Sequence, residues 1–171
     1  MPEPKSIKQL IDDLVPLDGA DPAIDPLAVR KKAMDYLARR EYAAGELRDK
    51  LIRAGFDAGL AASAVVELAA EGLQSDGRFL EVYLHSRVRQ GKGPVRIRAE
   101  LCERGIAAAA AEAALASSGY DWQEHAREVR TRKFGAALPV EFVEKARQMR
   151  FLQYRGFSPG HIRAALGEGQ D

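Results

Sequence analysis

The sequence predicts an all-α protein built of three tandem three-helix, helix-turn-helix-like repeats in an elongated array, preceded by a short N-terminal tail or helix. Three observations lead there. The first is a cassette that occurs three times, as Glu46-Leu47-Arg48-Asp49-Lys50-Leu51-Ile52-Arg53-Ala54-Gly55-Phe56, as Gly93-Pro94 through Leu101 to Gly105-Ile106, and as Lys145 through Leu152 to Gly156-Phe157. Its glycines are spaced by 50 and 51 residues, each with a leucine four positions before it and an apolar residue directly after it. A fixed period of this size marks tandem supersecondary units. The second is periodicity: apolar residues recur at helical spacing, and nothing alternates with period two over a useful length. The third is charge. Residues 30–56 hold eight bases against four acids, 78–104 seven against three, and 120–155 eight against five, whereas 57–77 holds no base and 105–119 only Glu112. Basic charge follows the first part of every repeat, the signature of a stripe that meets a polyanion or an acidic surface.

Composition sets the outer limits. With 171 residues, 46% hydrophobic but only 7% aromatic, and alanine abundant, the chain suits thin helical units better than a large sheet core. No run approaches the ~18 uncharged apolar residues of a membrane span, and the acidic, proline-containing start is no signal peptide. The single Cys102 excludes an internal disulfide framework and fits a reducing cytoplasm.

Residues 1–25 form the expected tail. Ser6 to Gln9 resembles a capping box ahead of Ile7, Leu10, Ile11 and Leu14, and Pro16 to Pro26 has linker composition. Repeat one (26–74) opens at Asp25-Pro26, an N-cap followed by proline at the first helical position. Ala33, Tyr36, Leu37 and Arg40 trace its first stripe, Leu47 and Leu51 the second, and Leu60, Ala64, Val65 and Leu68 the third, closed by Gly72. Repeat two (75–119) opens at Ser75-Asp76 with Phe79, Val82 and Tyr83 facing in, and its first helix ends at Gly91. Gly93 and Pro94 start the second helix, on which Ile97 and Leu101 share a face. Its third helix is nearly all alanine, anchored by Leu115, and alanine lets a neighbour approach closely. Repeat three (120–171) opens at Asp121-Trp122, with Trp122, Ala126 and Val129 inward and the Lys133 stem along the apolar edge. Phe142, Met149 and Leu152 mark its second helix, where the polar Gln148 takes the place of Leu47 and Ile97. Ser158-Pro159 starts the last helix, with Ile162 and Leu166 inward.

No enzymatic constellation is evident. His85, His125 and His161 fall in three different places without metal-ligand spacing to one another or to Cys102, which reads as a packed thiol. Gly91-Lys-Gly lacks the rest of a phosphate-loop motif and follows no strand. No catalytic residue, metal or cofactor is expected.

Taken together the repeats resemble the RecX regulatory proteins, modulators of the RecA recombinase. The resemblance spans roughly residues 30–166 and rests on Tyr36-Leu-Ala-Arg-Arg-Glu41, Glu46-Leu47-x-x-Lys50-Leu51-x-x-x-Gly55-Phe56 and Asp76-x-Arg78-Phe79. It continues through Tyr83-x-x-x-Arg87, Gly93-x-x-Arg96-Ile97-x-x-Glu100-Leu101-x-x-Arg104-Gly105-Ile106 and Tyr154-Arg155-Gly156-Phe157. Two positions depart from the family pattern: Ser75-Asp76 stands where two aspartates are usual, and Leu80 where alanine is usual. The resemblance implies a curved array that binds RecA and its filament on DNA and impedes filament extension and the recombinase, ATPase and coprotease activities. The expected protein is a cytoplasmic monomer, with at most weak, non-specific affinity for single- or double-stranded DNA and none for membranes. Candidate contacts, basic and beside the apolar stripes, are Arg39, Arg40, Arg48, Arg53, Arg87, Lys92, Arg96, Arg98, Arg104, Arg132, Lys133, Arg150 and Arg155. The alternative reading is a helix-turn-helix-like DNA-binding protein that works through phosphate contacts.

Overall fold

The computed structural model describes residues 21–168. Nine α-helices make up the described residues, with a 3-10 turn at Pro22–Ile24 before them and no strand. They are α1 (Pro26–Leu37), α2 (Ala44–Arg53), α3 (Ala58–Ala70), α4 (Asp76–Arg89), α5 (Pro94–Glu103), α6 (Ala108–Ser117), α7 (Trp122–Phe134), α8 (Phe142–Arg155) and α9 (Pro159–Ala165). The proposed capping box and apolar stripe of the tail lie outside the described residues.

Helix starts follow local chemistry. Asp25 and Asp57 accept from the N–H groups of Leu27 and Leu60, Asp121 from those of Gln123 and Glu124, and Ser75 from Arg78. Ser158 and His161 form a reciprocal capping box, and proline occupies the first turn of α1, α5 and α9. The repeated cassette is a repeated helix stop. In each copy the apolar residue's N–H reaches back to the leucine carbonyl: Phe56 to Leu51 at 3.2 Å, Ile106 to Leu101 at 3.1 Å and Phe157 to Leu152 at 3.1 Å. The bond needs a left-handed residue between them, and Gly55, Gly105 and Gly156 have φ of +98°, +85° and +93°.

Three separate cores result. Val29, Leu47, Leu51, Val65 and Leu68 fill the first, Phe79, Leu84, Ile97, Leu101 and Leu115 the second, and Val129, Leu152, Phe157, Ile162 and Leu166 the third. Extensive helix packing occurs within the three-helix units α1–α3, α4–α6 and α7–α9 rather than between them. Leu101 is fully buried. Leu101→Ala is therefore expected to cost about 2–5 kcal/mol, read by chemical denaturation. Hydrogen exchange should show loosening of the neighbouring units as well, since short arrays lean on neighbour contacts.

Several inward assignments need correction. At about 100° per residue, the buried arc of α4 runs from Phe79 through Tyr83 and Leu80 to Leu84, which leaves Val82 on the outer side, 58% exposed. On α8, Gln148 and Leu152 set the inner face, so Phe142 and Met149 are exposed. Gln148 is a buried partner of Arg130, whose guanidinium donates to Gln148 and to the Ala136 and Ala137 carbonyls and so pins the α7–α8 connection. Cys102 is exposed rather than packed, and so is Lys133. The alanine helix α6 buries Ala111 and Leu115 and exposes most of its remaining alanines.

The units meet through the ends of their second helices. The N–H groups of Gly93 and Val95, at the start of α5, donate to the carbonyls of Arg155 (2.8 Å) and Gly156 (3.0 Å), at the end of α8. The start of α2 meets the end of α5 in the same sense, with Gly45 against Gly105. Here Asp76 of the next unit caps α2: its Oδ1 accepts from the Ala44 N–H and from Gln74 Nε2, both at 2.8 Å. Arg78 Nε donates to Glu41 Oε1 at 2.8 Å across the same boundary. The second helices α8, α5 and α2 thus join end to end, which makes the array elongated.

Candidate functional site

The outer face of α4 links the two junctions. Val82, Ser86, Arg89 and Gln90 recur at helical spacing along it. Toward the first unit it borders a cleft that Arg40, Arg87 and Arg104 surround, and toward the third a groove lined by Gln90, Arg132, Lys133 and Arg155. One strip of surface therefore runs from the first junction to the second, with guanidinium or ammonium groups at both ends.

A single carboxylate organises the strip's middle. Glu100 on α5 accepts from the Tyr83 hydroxyl (2.7 Å) and Arg96 Nε (3.0 Å), and Arg87 Nε lies 2.8 Å away. Burial pushes Glu100 up, but the Tyr83 and Arg96 hydrogen bonds and the Arg87 and Arg96 charges outweigh it, so its pKa falls below the ordinary 4.5. A carboxylate depressed by folding adds stability above its unfolded pKa, and that stability is lost as pH falls through the folded one. Denaturation midpoints are therefore expected to drop below about pH 4.5. In Glu100→Gln they should be lower at neutral pH and flatter with acidification.

At the second junction the charge is uncompensated. Lys92, Arg132 and Lys133 have no ion pair or side-chain hydrogen bond among the described residues, and Arg155 donates only to the Gln90 carbonyl, at 3.0 Å. Burial, and then the positive charges of Arg96 and Arg155, press Lys92 below the ordinary lysine range. Tyr154, 74% exposed, lies beneath the Arg96 guanidinium at 5.4 Å. Among the described residues no group of three or more His, Cys, Asp and Glu is placed to hold a metal ion, and no helix is long and apolar enough to cross a membrane.

Comparison with known proteins assigns the array. Family models for the first, second and third three-helix domains of RecX match residues 30–68, 75–115 and 119–166. The chain belongs to the RecX family. The regulatory protein RecX of Pseudomonas savastanoi pv. phaseolicola is 49% identical over 147 residues, covering 85% of this chain and 95% of that one. That of Halorhodospira halophila is 47% identical over 144 residues, covering 84% and 89%. The crystal structure of RecX from Lactobacillus salivarius superposes with a TM-score of 0.70 at 20% identity, over 83% of this chain and 94% of that one, and so shares the fold.

Within this RecX architecture the basic residues singled out by sequence divide into two kinds. Many are tied to neighbours. Arg40 pairs with Glu46 (2.7 Å) and stacks on Tyr42, Arg48 pairs with Asp49, and Arg98 with Glu112. Arg96 bonds Glu100 and the Tyr154 carbonyl, Arg104 the Glu100 carbonyl, Arg53 the Asp49 carbonyl and Arg150 the Ala146 carbonyl. Arg39 joins Lys92, Arg132 and Lys133 as a cation without such a bond among the described residues. The structure brings Arg40, Arg87 and Arg104 together at one junction, and Lys92, Arg96, Arg132, Lys133 and Arg155 at the other. Arg48, Arg53, Arg98 and Arg150 line neither of these two places. Sequence reasoning missed Ser86, Arg89 and Gln90. Their spacing with Val82 was the available signal, hidden once Val82 was assigned inward.

Proposed function

We propose that this RecX chain is a non-enzymatic regulator that binds the RecA recombinase and its nucleoprotein filament, and by doing so restrains filament extension and the recombinase, ATPase and coprotease activities. The observation that supports this reading best is the α4 strip, with its uncompensated Lys92, Arg132 and Lys133 at the second junction. A filament presents successive identical subunits and a phosphodiester track. A tandem array joined end to end offers it several contacts at once, and linked contacts raise affinity without any single one being strong. Arg155 and Phe151 line the same groove, which adds an aromatic face to the cationic one.

The deciding experiment compares binding of the full chain to free single-stranded DNA, to RecA alone, and to RecA assembled on DNA with nucleotide, all at one salt concentration. The expected result is preference for the assembled filament together with a fall in its ATP hydrolysis. Equal binding to bare DNA and filament would favour a phosphate-contacting DNA-binding protein instead.

A further inference from the structure

We infer that the cleft at the first junction is a peptide-binding site that takes an acidic segment carrying a large apolar side chain. The cleft has a volume of about 310 Å³ and lies between α4, the end of α5 and the Arg40–Glu41 turn. Phe79, Val82 and Tyr83 form its apolar wall, and Arg40, Arg87 and Arg104 its cationic rim. Val82 is 58% exposed there although nothing in its helix requires an apolar residue on the outside.

The rim asks for an anion that the chain does not supply. Arg87 and Arg104 share one aromatic ring, their guanidinium carbons 4.7 and 4.8 Å from the Tyr83 centroid. Glu100 lies against Arg87 as a charge pair but offers Arg104 only its backbone carbonyl, to Nη1, and the Nε of each arginine is buried without a hydrogen bond. Two like charges over one ring share one carboxylate, and Arg104 Nη2, which is not among the buried atoms, has no hydrogen bond among the described residues, so an incoming carboxylate can meet that edge of the guanidinium.

Charge balance and shape favour a peptide over nucleic acid here. Arg40 is neutralised by Glu46, Arg87 by Glu100, and the rim's Glu41 by Arg78. The cleft therefore offers about one unmet cation, Arg104, beside an apolar wall, which suits one carboxylate next to an apolar side chain and gives a continuous phosphodiester only a single charge to meet. An apolar pocket of this size accommodates one side chain from a partner, which would serve as the buried anchor around which such interfaces concentrate their energy. The second junction, where Arg132 and Lys133 hold no ion pair among the described residues, is the better phosphate surface. The inference deepens the proposed function, because it names what the array would hold of a protein partner.

The test uses the full chain and a fluorescein-labelled synthetic peptide with one phenylalanine between pairs of aspartate and glutamate. Its Phe→Ala form and a labelled oligothymidylate serve for comparison. Fluorescence anisotropy should show saturable binding of the peptide. Weakening of about tenfold or more is expected for the Phe→Ala peptide, for Val82→Glu and for Arg104→Gln. Lys31→Glu, a comparable charge change on an exposed residue of α1, should bind as the parent does. Circular dichroism checks that each variant is folded, and Val82→Glu keeps the test decisive if Arg104→Gln is not. Peptide binding unaffected by Val82→Glu, or oligothymidylate displacing the peptide, would overturn the inference. Inhibition of RecA filaments is measured alongside. A Val82→Glu protein that still inhibits while no peptide binds removes the cleft and leaves the proposed function standing. A parent protein that binds peptide but does not inhibit supports the cleft and removes that function.

Discussion

Gly156→Ala is expected to break the junction between the second and third units at a cost of about 3–5 kcal/mol, while Gly55→Ala costs about 1–2. Both glycines close the same cassette with nearly the same backbone, at φ of +93° and +98°. An alanine at either pays the left-handed penalty. The surroundings differ. A Cβ at Gly55 meets nothing within 4 Å, whereas one at Gly156 meets the Arg96 backbone, 2.7 Å from its nitrogen. To make room, the end of α8 must retreat from the start of α5, and the bonds from the Gly93 and Val95 N–H groups to Arg155 and Gly156 go with it. Each is worth about 1 kcal/mol net, and more if the groups are left buried without partners. The difference between the two variants therefore isolates the junction from the cassette. Chemical denaturation measures the cost. Hydrogen exchange adds the location: in Gly156→Ala, amides of α7–α9 should exchange ahead of those in α4–α6. Equal losses in the two variants would mean that the end-to-end bonds contribute nothing to coupling.

The same pair of positions shows how far the sequence reaches. The cassettes were legible because they encode a local event, a left-handed glycine with a leucine before it and an apolar residue after it, and local events leave their residues at fixed offsets. All-α architecture, helix starts and most core anchors follow from the same short-range rules. The joining of one cassette's end to the preceding cassette's start was not legible. Gly93 read as an N-cap and Gly156 as a stop, and each served that role, but a Cβ on Gly93 would strike the Gly156 backbone and one on Gly156 would strike Arg96 at the start of α5. Asp76 behaves alike: as a sequence it opens α4, and in space it caps α2. Failures on α4 and α8 have one cause. Helical spacing fixes which residues share a face but not which face turns inward. A stripe judged by its apolar residues is misplaced when, as with Val82 and Phe142, an apolar residue lies on the exposed side.

Charge was legible as a quantity and not as an assignment. Arg96 and Arg98 look equally available in the cassette, yet Arg96 bonds Glu100 and the Tyr154 carbonyl while Arg98 faces Glu112. Reversing them together would damage the second junction and an exposed pair at once, and lost function would not separate binding from folding. The structure points to a cleaner set.

Reversal of Lys92, Arg132 and Lys133 to glutamate is expected to lower affinity for RecA filaments and for single-stranded DNA by about tenfold to a hundredfold at low salt, since each neutralised phosphate contributes a fixed share of the salt dependence. Log affinity against log salt should also flatten, by about two to three in slope if each of the three cations neutralises one phosphate at roughly 0.7–0.9 per charge. Stability should change little at the exposed Arg132 and Lys133, within about 0.5 kcal/mol each, and somewhat more at the half-buried Lys92. None of the three holds an ion pair among the described residues that reversal would break. A glutamate at position 92 would even sit between the guanidinium groups of Arg96 and Arg155 that now repel the lysine. Binding titrations over a range of salt, with thermal denaturation as a control, read both quantities. The two outcomes separate the contributions of the strip's ends. A triple variant that loses DNA and filament binding with its fold intact places the phosphate contacts at the second junction. One that still binds the filament but no longer responds to salt leaves protein contacts, such as those at the Val82 cleft, as the source of the remaining affinity. Undiminished affinity with an unchanged salt slope would remove the uncompensated junction from the mechanism altogether.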